Sequence, residues 1–132
     1  MTLDLTNSTT LSNLYASFNQ LTSLNIAPTT PIKYLFCDNN LLTSLNIVND
    51  SVLVELQCNN NLLTSLNLTN NAVLQKINCN NNLLTSLNII PNNALTHIYC
   101  KNNQLTTLDI SGNSAVVPKC RTKLSEFIIN FR

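Results

Sequence analysis

Hydrophobic and polar residues recur along this chain with a period of 21. The segment LFCDNNLLTSLNI at residues 35–47 returns as LQCNNNLLTSLNL at 56–68, INCNNNLLTSLNI at 77–89 and IYCKNNQLTTLDI at 98–110. The chain therefore divides into five rows, 11–31, 32–52, 53–73, 74–94 and 95–115, numbered here by row position 1 to 21. Repetition at a fixed period of this length indicates a stack of similar structural units.

Each row follows one template. Positions 1, 4, 11, 14 and 16 carry leucine or isoleucine, position 6 carries alanine or cysteine, and position 9 is always asparagine. Apolar and polar residues alternate around positions 3 to 7, which predicts a strand with one buried face. One row cannot bury its leucines alone, so we expect the rows to stack with these strands parallel, about 4.8 Å apart.

The pattern LxxLxCxxNxLxxLxI resembles the leucine-rich repeat, and more narrowly its bacterial IRREKO class, in which the second half of the repeat echoes the first. The resemblance covers Leu3 to about Val116. It implies a mostly β solenoid with one parallel strand per 21-residue repeat and a second extended segment, LTSLNI, on the opposite wall. The length of 132 residues fits a single domain.

Both ends depart from the template. Leu3-Asp4-Leu5 matches positions 14 to 16 of a truncated row, so we assign 1–10 to a partial repeat, 11–115 to five repeats and 116–132 to a C-terminal cap. VVPKC resembles the start of a sixth row with one residue inserted, which places Cys120 near position 4. Leu124, Phe127, Ile128 and Phe131 follow helical spacing after Thr122, which predicts a short capping helix, with a partner-binding helix as the alternative.

Two columns of identical residues are predicted to be structural. Cysteines at position 6 should be inert, reduced thiols in the core, since in-register parallel strands suit a disulfide poorly and no CxxC spacing favours a metal site. Asparagines at position 9 should satisfy the backbone of the turns. The columns are Cys37, Cys58, Cys79 and Cys100, and Asn19, Asn40, Asn61, Asn82 and Asn103.

Composition and charge narrow the possible functions. The chain is 44% hydrophobic and 10% charged with a net charge of +1, so nothing favours nucleic acid or an anionic membrane as a partner. It contains one histidine, His97, and one glycine, so we expect no enzyme activity, no cofactor and no metal. Cys120 lies among Lys119, Arg121 and Lys123, but no base for a nucleophile is evident. No export signal is visible, which slightly favours the cytoplasm.

The rows differ most at positions 3 and 5, which should point outward from the first strand. Aromatic residues concentrate there, although strand propensity alone also favours tyrosine. In leucine-rich repeats this face usually binds proteins, and the resemblance extends it to positions 7 and 8. The predicted contact residues are Tyr15, Phe18, Tyr34, Phe36, Asp38, Glu55, Gln57, Lys76, Asn78, His97, Tyr99 and Lys101.

Two other functions compete with a protein partner. Threonine at position 12 and serine or threonine at position 13 form hydroxyl columns that could recognise ice or a glycan, although short polar residues also simply suit a tight wall. Alternatively, the uncapped Leu3-Asp4-Leu5 end could give a structural or self-assembling solenoid, with weak self-association through the N-terminal end.

Overall fold

The computed structural model describes residues 1–47, 51–113, 116–119 and 128–130, and of 117–119 and 128–130 only the backbone. It contains ten short strands: β1 (Thr2–Leu5), β2 (Asn13–Tyr15), β3 (Ser23–Ile26), β4 (Tyr34–Phe36), β5 (Glu55–Gln57), β6 (Lys76–Asn78), β7 (His97–Tyr99), β8 (Thr107–Asp109), β9 (Val117–Lys119) and β10 (Ile128–Asn130). The described residues contain no helix.

Six strands form one parallel sheet along the stack of rows. Its order is β2-β4-β5-β6-β7-β9, so each coil of the solenoid contributes one strand in sequence order. Leu14 pairs with Leu35, and Leu35 pairs with Leu56, each 21 residues further on. The predicted parallel stacking of 21-residue rows is therefore confirmed.

Alternation of side chains along these strands separates core from surface. Leu35, Leu56, Ile77 and Ile98 at position 4 are fully buried, and Cys37 at position 6 is fully buried as well. The backbone continues the pairing beyond the strands, because the N–H of Cys37 donates to the carbonyl of Gln57 at 2.8 Å. Strands of three residues are thus held by neighbouring coils on both sides.

The opposite wall is the predicted second extended segment. At the two ends of the stack of coils, this segment forms parallel pairs of strands. β1 pairs with β3 at the N-terminal end, and β8 pairs with β10 at the C-terminal end. Leu24, Leu45, Leu66, Leu87 and Leu108 at position 14 all point into the core. The residues at positions 12 and 13 lie on the surface, as expected for a wall with one buried face.

The C-terminal region corrects two predictions. Val117 pairs with His97 and Pro118 with Ile98, an offset of 20, so the sixth row lacks a residue instead of having one inserted, and Pro118 occupies position 4. Ile128–Asn130 form β10, one period after β8, so the helix prediction is wrong for these residues. Cys120, Thr122, Leu124, Phe127 and Phe131 lie outside the described residues.

A physical reason favours the strand over the helix. The free edge of β8 offers unpaired backbone groups that a following segment can satisfy, whereas a helix of about ten residues is marginal without extensive packing. Ile128 and Ile129 are β-branched and suit a strand.

Among the described residues, no helical segment has the length and apolarity to cross a lipid bilayer.

Candidate protein-binding face

The outward face of the six-stranded sheet brings the predicted contact residues together. β2, β4, β5, β6 and β7 each place positions 3 and 5 on this face, and positions 7 and 8 follow directly. Tyr15 is 67% exposed and Tyr34 is 37% exposed, whereas Leu14 and Leu35 beside them point inward. The sequence prediction of a continuous outward face therefore agrees with the geometry, while its binding role stays a prediction.

Aromatic side chains cluster at the N-terminal end of this face. The rings of Tyr15 and Phe36 meet edge to face, with centroids 5.1 Å apart and planes at 70°. Phe18 lies on the same coil as Tyr15 and is 79% exposed. Exposed aromatic rings of this kind are good anchors for a protein contact.

The middle of the face is polar and tied together by hydrogen bonds. Lys76 lies 2.9 Å from the carboxylate of Glu55, and Gln57 donates to the same carboxylate at 2.6 Å. Partial burial tends to raise the pKa of Glu55, but the bonds from Lys76 and Gln57 outweigh it and lower the pKa. Asp38 similarly accepts hydrogen bonds from Ser17 and Asn39.

The C-terminal end of the face carries His97, Tyr99 and Lys101. The rings of His97 and Tyr99 stack with centroids 6.5 Å apart and planes at 11°. His97 and Lys101 are exposed. The face therefore has three parts along the stack of coils. An aromatic cluster lies at the N-terminal end, polar residues lie in the middle, and a second pair of stacked rings lies beside Lys101 at the C-terminal end.

An asparagine column at position 8 borders the face. Asn39, Asn60, Asn81 and Asn102 all have φ of 54° to 55°, in the left-handed region that asparagine tolerates better than most residues. Their amides are linked from coil to coil, with Asn60 donating to Asn39 at 3.0 Å and Asn81 to Asn60 at 2.6 Å. Phe18 occupies the same position with φ of 56°, where a phenylalanine is strained.

The asparagines at position 9 support the face from inside. The amide of Asn82 donates to the carbonyls of Cys58 and Cys79 at 3.0 and 3.1 Å and accepts the N–H of Leu63 at 3.0 Å. Asn40, Asn61 and Asn103 repeat this pattern, so each amide joins its own coil to the preceding one. The predicted structural column is confirmed, although Asn19 in the first coil is exposed.

A second buried asparagine column was missed by the sequence analysis. Asn71, Asn92 and Asn113 at position 19 are at most 2% exposed. Asn92 donates to the carbonyls of Leu68 and Asn71, both at 3.0 Å. The signal was present, because three successive rows share asparagine at this position, but the first two rows have Thr29 and Asp50 there and obscure it.

The cysteine column lies in the core as predicted. Cys37, Cys58 and Cys79 are free thiols that are fully buried. Burial raises the pKa of Cys37 and Cys79 to about 12 and also raises that of Cys58. These thiols are therefore protonated at neutral pH and are poor nucleophiles.

Cys100 corrects part of the prediction for this column. It is buried like the other three, but it is disulfide-bonded, so the expectation of a reduced thiol is wrong at this position. Neighbouring in-register parallel strands were expected to give poor geometry for a disulfide bond. This expectation holds between the coils of Cys37, Cys58 and Cys79, whose thiols are free.

The hydroxyl columns of the opposite wall are exposed but not uniform. Thr43, Thr64 and Thr85 lie on the surface beside a stripe of leucines at position 10. Leu41, Leu62 and Leu83 of that stripe are 47%, 43% and 40% exposed. The wall is thus a mixed apolar and hydroxyl surface, with Gln20 and Gln104 at the same position in the first and last rows.

Comparison with known proteins supports the architecture. No protein-family model matches the chain, and no curated protein matches it. A solved structure of the functional domain of InlJ from Listeria monocytogenes, which includes a cysteine ladder, matches with a TM-score of 0.88 and 30% sequence identity. The alignment covers 98% of this chain, which spans only 31% of that chain.

Proposed function

We propose that this leucine-rich-repeat protein is a non-catalytic module that binds another protein through the outward face of its six-stranded sheet. The observation that carries the proposal is the contrast between the two sides of each strand. Inward positions repeat the same residue types from coil to coil, whereas the pair of residues at outward positions 3 and 5 is different in every coil. Core packing explains the repetition, and a specific partner would explain the variation.

The distribution of side chains describes the kind of partner that fits. An apolar segment of the partner would lie over Tyr34 and Phe36, and polar groups would face the hydrogen-bonded centre around Glu55 and Lys76. Aromatic rings bury large areas at low entropic cost, so most of the binding energy would come from the aromatic end. The buried, protonated thiols support a module that carries out no thiol chemistry.

The test replaces three aromatic residues on the face with serine. A Tyr34→Ser, Phe36→Ser, Tyr99→Ser variant should lose at least about tenfold in capture of its partner, because each anchor typically contributes more than about 1 kcal/mol. Capture is measured by pull-down from the native cell, with quantitative mass spectrometry of the bound proteins. Tyr15 and Phe18 are left unchanged so that the first coil is not perturbed.

The matched control is Thr43→Ala, Thr64→Ala, Thr85→Ala on the opposite wall, where all three residues are also exposed. It should capture the partner as well as the parent chain. Thermal unfolding of the face variant should shift by only a few degrees, since Phe36 loses its edge-to-face contact with Tyr15 and the other changes are at the surface. Equal capture by both variants would remove this face from consideration.

A further inference from the structure

Three leucines form an exposed stripe along the wall opposite the six-stranded sheet. Leu41, Leu62 and Leu83 at position 10 are 47%, 43% and 40% exposed, and they lie in three successive internal coils. Each of these coils has a neighbouring coil on both sides, so the exposure follows from the direction in which position 10 points and not from an end of the stack. We call these three side chains the leucine stripe.

The fold does not require leucine at position 10. The first and fifth rows carry Gln20 and Gln104 there, and both are exposed. The N–H of Gln104 donates to the preceding coil at 2.8 Å, as those of Leu62 and Leu83 do at 2.9 Å, so glutamine fits the same backbone. Exposing an apolar side chain to water is unfavourable where a polar one fits equally well. Leucine in the three middle coils therefore indicates a contact that is made outside the single chain.

Hydrogen bonds on both sides hold this wall in a fixed register. The N–H at position 10 donates to the carbonyl of the preceding coil, and the N–H at position 11 donates to the position 9 amide of the following coil, as from Leu63 to Asn82 at 3.0 Å. The leucines and the threonines at position 12 therefore repeat at the coil spacing of about 4.8 Å. A surface that is already ordered loses little conformational entropy when it is covered.

The wall carries almost no charge. Among positions 10, 12, 13 and 15 of the five rows, Asp109 is the only charged residue, and the others are leucine, glutamine, threonine, serine and asparagine. Two such surfaces can face each other without like-charge repulsion, and their hydroxyl and amide groups can both donate and accept. A strongly charged partner, by contrast, finds no complementary potential on this wall.

The wall presents the same residue types in either direction along the stack. From the first to the fifth row, position 10 carries Gln-Leu-Leu-Leu-Gln, and position 12 carries threonine throughout. A second copy that runs in the opposite direction and is centred on the third coil therefore places leucine on leucine, threonine on threonine and glutamine on glutamine. This self-complementarity favours another copy of the chain as the occupant, because a two-fold contact uses the same patch on both molecules.

The neighbouring asparagine column favours the opposite direction. The position 8 amides donate towards the preceding coil, as Asn102 does to Asn81 at 2.6 Å and Asn60 to Asn39 at 3.0 Å. The dipoles of these amides therefore point the same way along the stack. Two such rows lying side by side attract each other when they run antiparallel and repel each other when they run parallel.

We propose that two copies of this chain associate through the wall that carries the leucine stripe, in a closed two-fold dimer whose two stacks run in opposite directions. Leu62 faces Leu62 of the second copy at the two-fold axis, and Leu41 faces Leu83. The wall is about 24 Å long over five coils and about 17 Å wide from position 10 to position 15, which gives about 400 Å² of flat area per copy. This area is small for a specific contact, so the dimer is weak and reversible.

The experiment measures the mass of the 132-residue chain by sedimentation equilibrium and light scattering at concentrations up to about 1 mM. The parent chain should approach twice the mass of one chain and go no further. A Leu41→Gln, Leu62→Gln, Leu83→Gln variant should raise the dimer dissociation constant at least about tenfold. It should keep the fold by circular dichroism, since glutamine already occupies position 10 in two coils. The matched control Val52→Gln, Val73→Gln changes exposed apolar residues at position 21 and should leave the dimer unchanged.

Cysteine cross-linking tests the orientation of the two copies. Under mild oxidation Leu62→Cys should form a disulfide-linked dimer on a non-reducing gel, and so should a mixture of the Leu41→Cys and Leu83→Cys chains. Leu41→Cys alone should cross-link no faster than the parent chain, because the same residue of the second copy lies two coils, or about 10 Å, away along the stack. The free thiols of the internal coils are fully buried and do not compete in this reaction.

Four outcomes would overturn the proposal. They are a single-chain mass at all concentrations, growth beyond two chains, a dimer that the three leucine-to-glutamine changes do not weaken, and cross-linking of Leu41→Cys as fast as that of Leu62→Cys. A single-chain mass would leave this wall to a different occupant, such as ice or a glycan, and the last outcome would show two stacks that run in the same direction. The proposed protein-binding face is tested by residues of the other wall, so each proposal can fail without the other.

Discussion

At the scale of single residues, asparagine has three distinct roles in the third, fourth and fifth coils. At position 8 it occupies left-handed backbone on the surface, as Asn81 does with φ of 54°. At positions 9 and 19 it is buried and bonds backbone groups of two coils, as Asn82 and Asn92 do. A primary amide donates at all three positions, also accepts at positions 8 and 9, and at position 8 tolerates positive φ.

The burial of these amides leads to a stability prediction. Asn82→Ala should lower the free energy of unfolding by about 2–4 kcal/mol, because it leaves the N–H of Leu63 and the carbonyls of Cys58 and Cys79 without this partner in the core. Urea unfolding followed by circular dichroism gives the value. The control is Asn93→Ala, since Asn93 is exposed and should lose less than about 0.5 kcal/mol. Similar losses in the two variants would show that the position 9 column does not hold the coils together.

At the scale of strands, the repeated template predicts the strands inside the array correctly, but it does not predict the structure of the residues beyond the last complete row. β4, β5, β6 and β7 follow from alternation at positions 3 to 7, which five rows repeat. β10 was predicted as helix because a few apolar residues spaced by three and four fit either structure. What decided between them was the free edge of β8, and no local pattern reveals a pairing partner 21 residues away.

The strands also carry a buried column of thiols whose ionisation is coupled to folding. Burial raises the pKa of Cys37 and Cys79 from 9.0 to about 12, and that of Cys58 is raised as well. In the unfolded chain these thiols ionise near their ordinary pKa, whereas in the folded chain they stay protonated. Stability is therefore fully present below about pH 9 and decreases as the pH rises towards about 12.

The prediction is a steep alkaline loss of stability. Above the pKa that the thiol has in the unfolded chain, each buried thiol should lower the free energy of unfolding by on the order of 1 kcal/mol per pH unit. Urea midpoints measured between neutral and strongly alkaline pH give the slope, with reductant omitted so that the bond at Cys100 is retained. The control Cys58→Val keeps the core apolar and removes one of the buried thiols. It should therefore reduce the slope of stability against pH by the contribution of one thiol. A slope unchanged in Cys58→Val would assign the alkaline transition to other groups.

At the scale of the whole molecule, stability is nearly one-dimensional. Each internal coil contacts the one before and the one after through the sheet, the asparagine columns and the leucine core, as Leu56 does between Leu35 and Ile77. The fold could therefore be predicted from the sequence, because one template specifies every interface. The outward face of the sheet could be placed in the same way, but whether it binds a partner stays a prediction, since the template does not specify the outward residues.

Removing one complete row tests this one-dimensional character. Deleting residues 53–73 joins position 21 of one row to position 1 of another, so every later residue keeps its row position. Ile77 would then pair with Leu35, and Asn82 would bond the carbonyl of Cys37 in place of Asn61. We expect the shortened chain to fold with lower stability and with a urea m-value reduced by about a sixth, in proportion to the 21 of 132 residues that it loses, both measured by circular dichroism.

The contrasting variant deletes only seven residues, 53–59, which is a third of a row. The residues up to 73 then form a coil of the wrong length, and filling the template in order would place Asn60 at position 1, Ser65 at position 6 and Leu68 at position 9. A parallel stack tolerates the loss of a whole unit but not a shift of register, because a shifted register exposes leucines and buries polar side chains. We therefore expect this chain to be largely unfolded by circular dichroism although it loses fewer residues. If the two deletions were equally tolerated, the coils would not be held by in-register columns, and the stacking of identical positions could not be the source of stability.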